Sequence, residues 1–278
     1  MLVETAELDR HLHDPSWIVF DCRHDLLDTR RGARVYGEGH VPGAFFAPID
    51  TALAGVKTGR NGRHPLPEAA DFAAFLNRHG VGATTQIVAY DDAGGQYAAR
   101  LWWLACWIGV TRVALLNGGL VKWLAEGRPV TAEKTGPRAA GSIIARPDMT
   151  QVRSADEVLR VVNNSGGLII DARAPERFRG EVEPVDPVAG HIPTACNRFH
   201  KLNLNPDQTW RDRPVLRAEF EALLGPWPPR QVIHHCGSGI TACVNLLAME
   251  LAGLPGSALY AGSWSEWIGD PAHPVRRT

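Results

Sequence analysis

The stretch QVIHHCGSGITACVNLLAM, Gln231 to Met249, reads as an apolar strand, a glycine-rich bend and an alanine- and leucine-rich helix. A second stretch, QIVAYDDAGGQYAARLWWL from Gln86 to Leu104, has the same order 145 residues earlier and puts Asp91 opposite Cys236. The correspondence continues outward. WIVFDCR (Trp17 to Arg23) answers LIIDARA (Leu168 to Ala174), each an apolar run closed by Asp-x-Arg. EGHVPGA (Glu38 to Ala44) answers AGHIPTA (Ala189 to Ala195), and NGGLVKWLAEGRPV (Asn117 to Val130) answers AGSWSEWIGDPAHPV (Ala261 to Val275). Four matches in one order identify a duplicated unit.

Within each copy, short β-rich runs alternate with amphipathic segments such as LPEAADFAAFLNRHGV (Leu66 to Val81) and LRAEFEALLGPW (Leu216 to Trp227). Such alternation predicts an α/β fold with a mainly parallel sheet flanked by helices. TAEKTGPRAAGSIIARP, Thr131 to Pro147, is polar, contains Gly and Pro and lacks an apolar period, which suits a linker. The expected organisation is therefore a first domain over 1–130, a linker over 131–147 and a second domain over 148–278.

Twenty-nine Lys and Arg stand against thirty Asp and Glu, and no basic run stands out, so nucleic acid is not an expected partner. No stretch approaches the roughly 18 uninterrupted apolar residues of a membrane span. The amino terminus is polar from its fourth residue. Together these predict no membrane association and a soluble cytoplasmic protein. The five cysteines, Cys22, Cys106, Cys196, Cys236 and Cys243, are scattered without a CxxC pair, which indicates neither a disulfide framework nor a zinc site.

Cys236 stands apart from the other four because a Gly-Ser-Gly bend follows it. At the end of a parallel strand, backbone N–H groups are unpaired and point outward. Residues Cys236, Gly237, Ser238, Gly239, Ile240, Thr241 and Ala242 can wrap those amides around the sulfur, the two glycines permitting the close approach. Amides and a helix N-terminus stabilise a thiolate, the form that acts as nucleophile. The competing reading is a packed cysteine on a tight turn, but Gly-Ser-Gly-x-Thr is poor core composition. Cys243, one helical segment on, reads as packed. A cysteine-dependent phosphatase would close such a loop with an arginine that clamps phosphate; here that position is Ala242, and no cation occurs between Cys236 and Asn245.

The duplicated halves, the paired GHVPGA and GHIPTA turns, the loop CGSGITAC and the terminal YAGSWSEW (Tyr260 to Trp267) resemble the tandem-rhodanese sulfurtransferases over nearly the whole chain. The loop wording Cys-Gly-Ser-Gly-Ile-Thr is similar to that of the 3-mercaptopyruvate sulfurtransferases, with Ile240 for their valine; thiosulfate sulfurtransferases carry basic residues at that point. The resemblance implies that Cys236 takes sulfur from 3-mercaptopyruvate as a persulfide and passes it to a thiol, thioredoxin or cyanide, with no metal or organic cofactor. Thiosulfate:cyanide transfer and a persulfide relay to a partner protein are the alternatives.

The resemblance also implies roles for further residues. In APERFRGE (Ala174 to Glu181), Arg177 matches the carboxylate-binding arginine and Arg179 is a second candidate, since the family's further arginine is replaced by Val185. Gly237, Gly239, Ile240 and Thr241 would line the substrate loop. Ser238 would polarise the substrate together with a histidine matched by His40 and an acid matched poorly by Asp28. His234 and His235 alternate on a strand and so face opposite ways, at most one approaching the sulfur. Asp91 cannot carry sulfur, so the first copy is expected to be non-catalytic and to build one wall of the cleft. Trp102, Trp103, Trp107 and Trp123 read as core, whereas Trp264 and Trp267 are expected at the pocket edge.

Overall fold

The computed structural model describes residues 1–278 and resolves two compact units. One comprises Met1–Gly55, Pro67–Asp148 and Leu204–Trp210; the other comprises Val56–Leu66, Met149–Asn203 and Arg211–Thr278.

In the first unit, strands β1 (Leu2–Val3), β2 (Trp17–Asp21), β3 (Phe45–Phe46), β4 (Gln86–Tyr90) and β5 (Val113–Leu116) form an all-parallel sheet in the order β1-β5-β4-β2-β3. β2, β4 and β5 are nearly continuous apolar runs because helices cover both faces of such a sheet and leave little room for polar alternation. The helix Ala69–Arg78 buries Phe72, Ala73, Phe75 and Leu76, a stripe at three- and four-residue spacing. Val19, Val88, Tyr90, Ala114 and Trp123 meet in one core cluster.

The second unit repeats the design. Strands β6 (Leu168–Asp171), β7 (Cys196–Asn197), β8 (Val232–His235) and β9 (Ala258–Leu259) pair in parallel in the order β7-β6-β8-β9, and Val152 bridges to Leu259 where the first unit has β1. Ile169, Ile233, Tyr260, Trp264 and Trp267 belong to its core cluster. The amphipathic segment read from Leu216 is the helix Arg213–Leu224, and the helix after the cysteine loop runs Ala242–Leu251 with Thr241 as its N-cap.

The repeated Asp-x-Arg has a structural explanation. Arg23 chelates Asp21 and donates to the Gly39 carbonyl at 2.6 Å; Arg173 chelates Asp171 and donates to the Gly190 carbonyl at 2.7 Å. Each arginine thus ties a central strand to the Gly-His turn. The paired tryptophans close each copy in the same way, Trp123 donating to the Pro129 carbonyl and Trp267 to that of Pro274. Trp102, Trp103 and Trp107 are buried as expected. Trp264 and Trp267 are equally buried, contrary to a place at a pocket edge: the Trp264 indole donates to the Val188 carbonyl and its face carries the Arg173 guanidinium. Thr131–Pro147 lacks helix and strand but is not loose; Asn77 bonds to Ile143 through both ends of its amide, and Arg138 donates to the Trp17 carbonyl.

Two buried histidines couple this fold to pH. Burial pushes His234 down to about 3 and His200 down to about 4, His234 resting on the Met249 sulfur and His200 on the Ala172 carbonyl. Below the ordinary histidine value of about 6.5 the unfolded chain takes up protons that the folded chain refuses, so stability is lost as pH falls. Each group contributes up to about 1.4 kcal/mol per pH unit. The unfolding free energy should therefore drop by about 2 to 4 kcal/mol between pH 7 and pH 5. Denaturant titrations across that range check it, and His234→Gln should flatten the slope.

Candidate functional site

In the second unit the chain leaves β6 toward β7 on one side and returns to β8 on the other, so the carboxyl ends of β6 and β8 flank a topological switch point, where ligands bind in open α/β sheets. Cys236 is the first residue beyond β8 and is almost wholly buried. Its N–H donates to Ser263 Oγ at 3.1 Å, and its carbonyl accepts from Trp264 N–H at 3.0 Å. Ser263 itself has φ +56°, a left-handed conformation rare for a serine, which Gly119 adopts at the matching place of the first unit. Gly239 has φ +76° and a Cβ there would collide with the Ala261 carbonyl, so glycine is required. The amides of Ser238, Ile240 and Thr241 have no protein acceptor. Ile240 is buried and Thr241 is half-buried at the helix start.

The first unit reveals what such a loop holds. The Asp91 carboxylate accepts from the amides of Ala93, Gly95, Tyr97 and Ala98 at 2.7 to 2.9 Å. Burial pushes the carboxyl up, and those four amides pull it back. The loop after the central strand thus holds a carboxylate in the first copy, and Cys236 stands at the matching strand end in the second.

Two residues from Cys236, Ser238 Oγ and His64 Nδ1 share a hydrogen bond of 2.7 Å, both groups buried. His64 replaces His40 as the partner of Ser238 anticipated from the sequence. His40 Nδ1 bonds to the Tyr36 carbonyl at 2.8 Å and its ring stacks on Tyr36, as His191 bonds to the Phe178 carbonyl and stacks on Phe178. Both turn histidines hold their own turn. Asp28 is an exposed partner of Arg34.

Arg177 lies beside the cysteine loop. Its Nη1 and Nη2 both lie 3.8 Å from the position a Cβ on Gly237 would occupy. Glu183 accepts from its Nε and Nη2, and Asp186 from its Nη2. Arg179 does not join it. Two residues apart on the helix Pro175–Arg179 is about 200° of rotation, and Arg179 points outward to chelate the exposed Glu181. A second guanidinium comes instead from Arg63, which the sequence reading passed over. Its Nη2 lies 2.9 Å from the same point beside Gly237, and its Nη1 donates to Asp186. Lack of a cation within the loop therefore does not mean lack of positive groups beside it. His235, the strand residue before Cys236, is fully buried with Nε2 3.6 Å from Asp171, while His234 faces Met249, so the two do point apart. Cys243 is buried in the helix, its sulfur on the Gly239 carbonyl at 3.3 Å.

A model of the rhodanese-like domain matches residues 4–126 and again 154–270. The chain is 46% identical over 276 residues to a probable 3-mercaptopyruvate sulfurtransferase of Pseudomonas aeruginosa, covering 99% of this chain and 97% of that one. It is 36% identical to a putative thiosulfate sulfurtransferase of Mycobacterium tuberculosis, covering 100% and 97%. Among solved structures, the 3-mercaptopyruvate sulfurtransferase SseA of Escherichia coli superposes with a TM-score of 0.80 at 32% identity, over 95% of this chain and 99% of that one. That of Leishmania major gives a TM-score of 0.85 at 28% identity, over 97% and 74%.

The Asp91 cradle makes a stability prediction. Asp91→Ala would leave four N–H groups, three of them buried, without their carboxylate and should lower the unfolding free energy by about 3 kcal/mol or more, measured by denaturant melts. Asp91→Asn, which keeps one acceptor oxygen, should cost less.

Proposed function

The chain belongs to the rhodanese family and is a sulfurtransferase, and we propose that it moves the sulfur of 3-mercaptopyruvate through a persulfide on Cys236. The observation that carries the reading is the Ser238–His64 hydrogen bond two residues from a buried cysteine in an anion cradle. A donor whose leaving group is an enolate needs a proton at the carbon that loses sulfur; a thiosulfate donor leaves as sulfite and needs none.

In the proposed reaction the Cys236 thiolate attacks the donor sulfur. The new S–S bond forms as the C–S bond breaks, and its electron pair goes to the carbon as the enolate of pyruvate. Ser238 Oγ–H supplies the proton and His64 restores it, a relay of general acid type. The loop amides take the charge of the outer persulfide sulfur, and Arg177 holds the donor carboxylate with a fork suited to two oxygens. An acceptor thiolate then attacks the outer sulfur and releases Cys236 as thiolate. With thioredoxin, the dithiol leaves as disulfide and the sulfur as sulfide; with cyanide the product is thiocyanate. No helix of the structure is long and apolar enough to cross a membrane, which is consistent with our placing the reaction in the cytoplasm, where thioredoxin is the natural dithiol.

Mass spectrometry after incubation with 3-mercaptopyruvate should find one added sulfur on Cys236, with pyruvate released. Cys236→Ser should abolish both, and Cys243→Ser should retain both; sulfur on Cys243 would overturn the assignment. Ser238→Ala and His64→Ala should each lower kcat for 3-mercaptopyruvate by about 100-fold or more. Neither should lower kcat for thiosulfate by more than a few-fold, and equal losses on both donors would remove the proton relay.

A further inference from the structure

We propose that Arg63 is a specificity-determining residue, the second guanidinium of a clamp for the donor carboxylate, standing in for the cation that Val185 does not provide. The inference rests on the reading of the donor as a 2-oxo acid and adds a residue from outside every repeated motif.

Three observations place Arg63 in that role. Its backbone is fixed to the cysteine loop: Arg63 N–H donates to Ser265 Oγ at 3.0 Å, and Ser265 N–H donates to the Gly237 carbonyl at 3.0 Å. The preceding Gly62, with φ +80°, lies so close to the Gly262 carbonyl that a Cβ would stand 2.6 Å from it. The chain is therefore pressed onto the Gly262–Ser265 turn just where its side chain is launched.

The second observation is what the side chain leaves unused. Of five donor hydrogens, Arg63 commits only Nη1, to Asp186; Nε is buried without an acceptor, and Nη2 has none. Arg177 commits Nε and Nη2 and leaves Nη1 without an acceptor. The uncommitted Arg63 Nη2 and Arg177 Nη1 lie 2.9 and 3.8 Å from one point, the position of a Cβ on Gly237. Two N–H donors from two guanidiniums converging beside the residue after Cys236 match the two oxygens of one carboxylate. Gly237 itself follows from this, since a side chain there would fill the place.

The third observation concerns charge. Asp186 accepts from both arginines, Glu183 accepts from Arg177 and, at 3.4 Å, from Arg173 Nη1, and both acids are almost wholly buried at the side chain. With Arg173 chelated by Asp171, three acids offset three guanidiniums, so the clamp offers directed donors with little net field. That selects a monoanionic carboxylate over a dianion, which draws more on net charge.

Kinetics with Arg63→Ala, Arg63→Gln and Arg63→Lys test the assignment, together with product inhibition by pyruvate and by its neutral methyl ester. Loss of the clamp should raise KM for 3-mercaptopyruvate and the inhibition constant of pyruvate together by about 10- to 100-fold, with kcat changed less than about threefold. Lysine should restore part of the loss, and the methyl ester should bind wild type and variants alike. An unchanged pyruvate constant in a folded variant, or an equal weakening of pyruvate and its ester, would overturn the role. Should the alanine variant melt early, Arg63→Gln, which keeps the aliphatic stem and a polar end but no charge, carries the same comparison. Wild type that releases no pyruvate from 3-mercaptopyruvate would instead sink the donor reading; a wild type that does so beside an unaffected Arg63 variant sinks only the clamp.

Discussion

Amide groups left unpaired where a central parallel strand turns into a helix demand negative charge, and the rest of this molecule is arranged around that demand. In the first unit the demand is met within the chain, by four N–H groups on Asp91. In the second, the residue at the same point is the buried Cys236, and the amides of Ser238, Ile240 and Thr241 beyond it have no protein acceptor. The two copies thus differ in what stands at the strand end, a carboxylate held by its own loop in one and a thiol in the other. Around it, the glycine at 239, the left-handed Ser263 and the Asp-x-Arg ties hold the loop to the sheet edge at which ligands gather.

Much of this was legible in the sequence because duplication writes local patterns twice. The strands, the cysteine loop and the Asp-x-Arg and Gly-His turns recur in order, and the structure gives the Asp-x-Arg and Gly-His recurrences the same contacts. Recurrence also carried a warning. A histidine that appears in both copies, as His40 and His191 do, answers a need that both copies share, and here that need is the turn beneath an aromatic ring. Arg179 could likewise have been set aside from helical rotation alone.

His64 and Arg63 were harder to find because no repeat contains them. They sit in NGRHPLP, within residues 53–68, a stretch with neither helix nor strand that joins two helices of the first half. Structureless connections of that length inside compact domains are uncommon and tend to be functional, which is the one signal that pointed there. Chain order hid the rest: Val56–Leu66 packs with the second unit, where it presents an imidazole to Ser238 and a guanidinium to Asp186.

The exchange of segments is reciprocal, since Leu204–Trp210 from the second half belongs to the first unit, where Trp210 N–H donates to the Asn117 side chain. A break between Asp148 and Met149 would therefore give two incomplete pieces. The later one would keep Cys236 and its amides but lose the histidine and arginine beside them; the earlier one would lose the strip that contacts Asn117. Although the two copies are written as a tandem, each compact unit is completed by a strip from the other half of the chain.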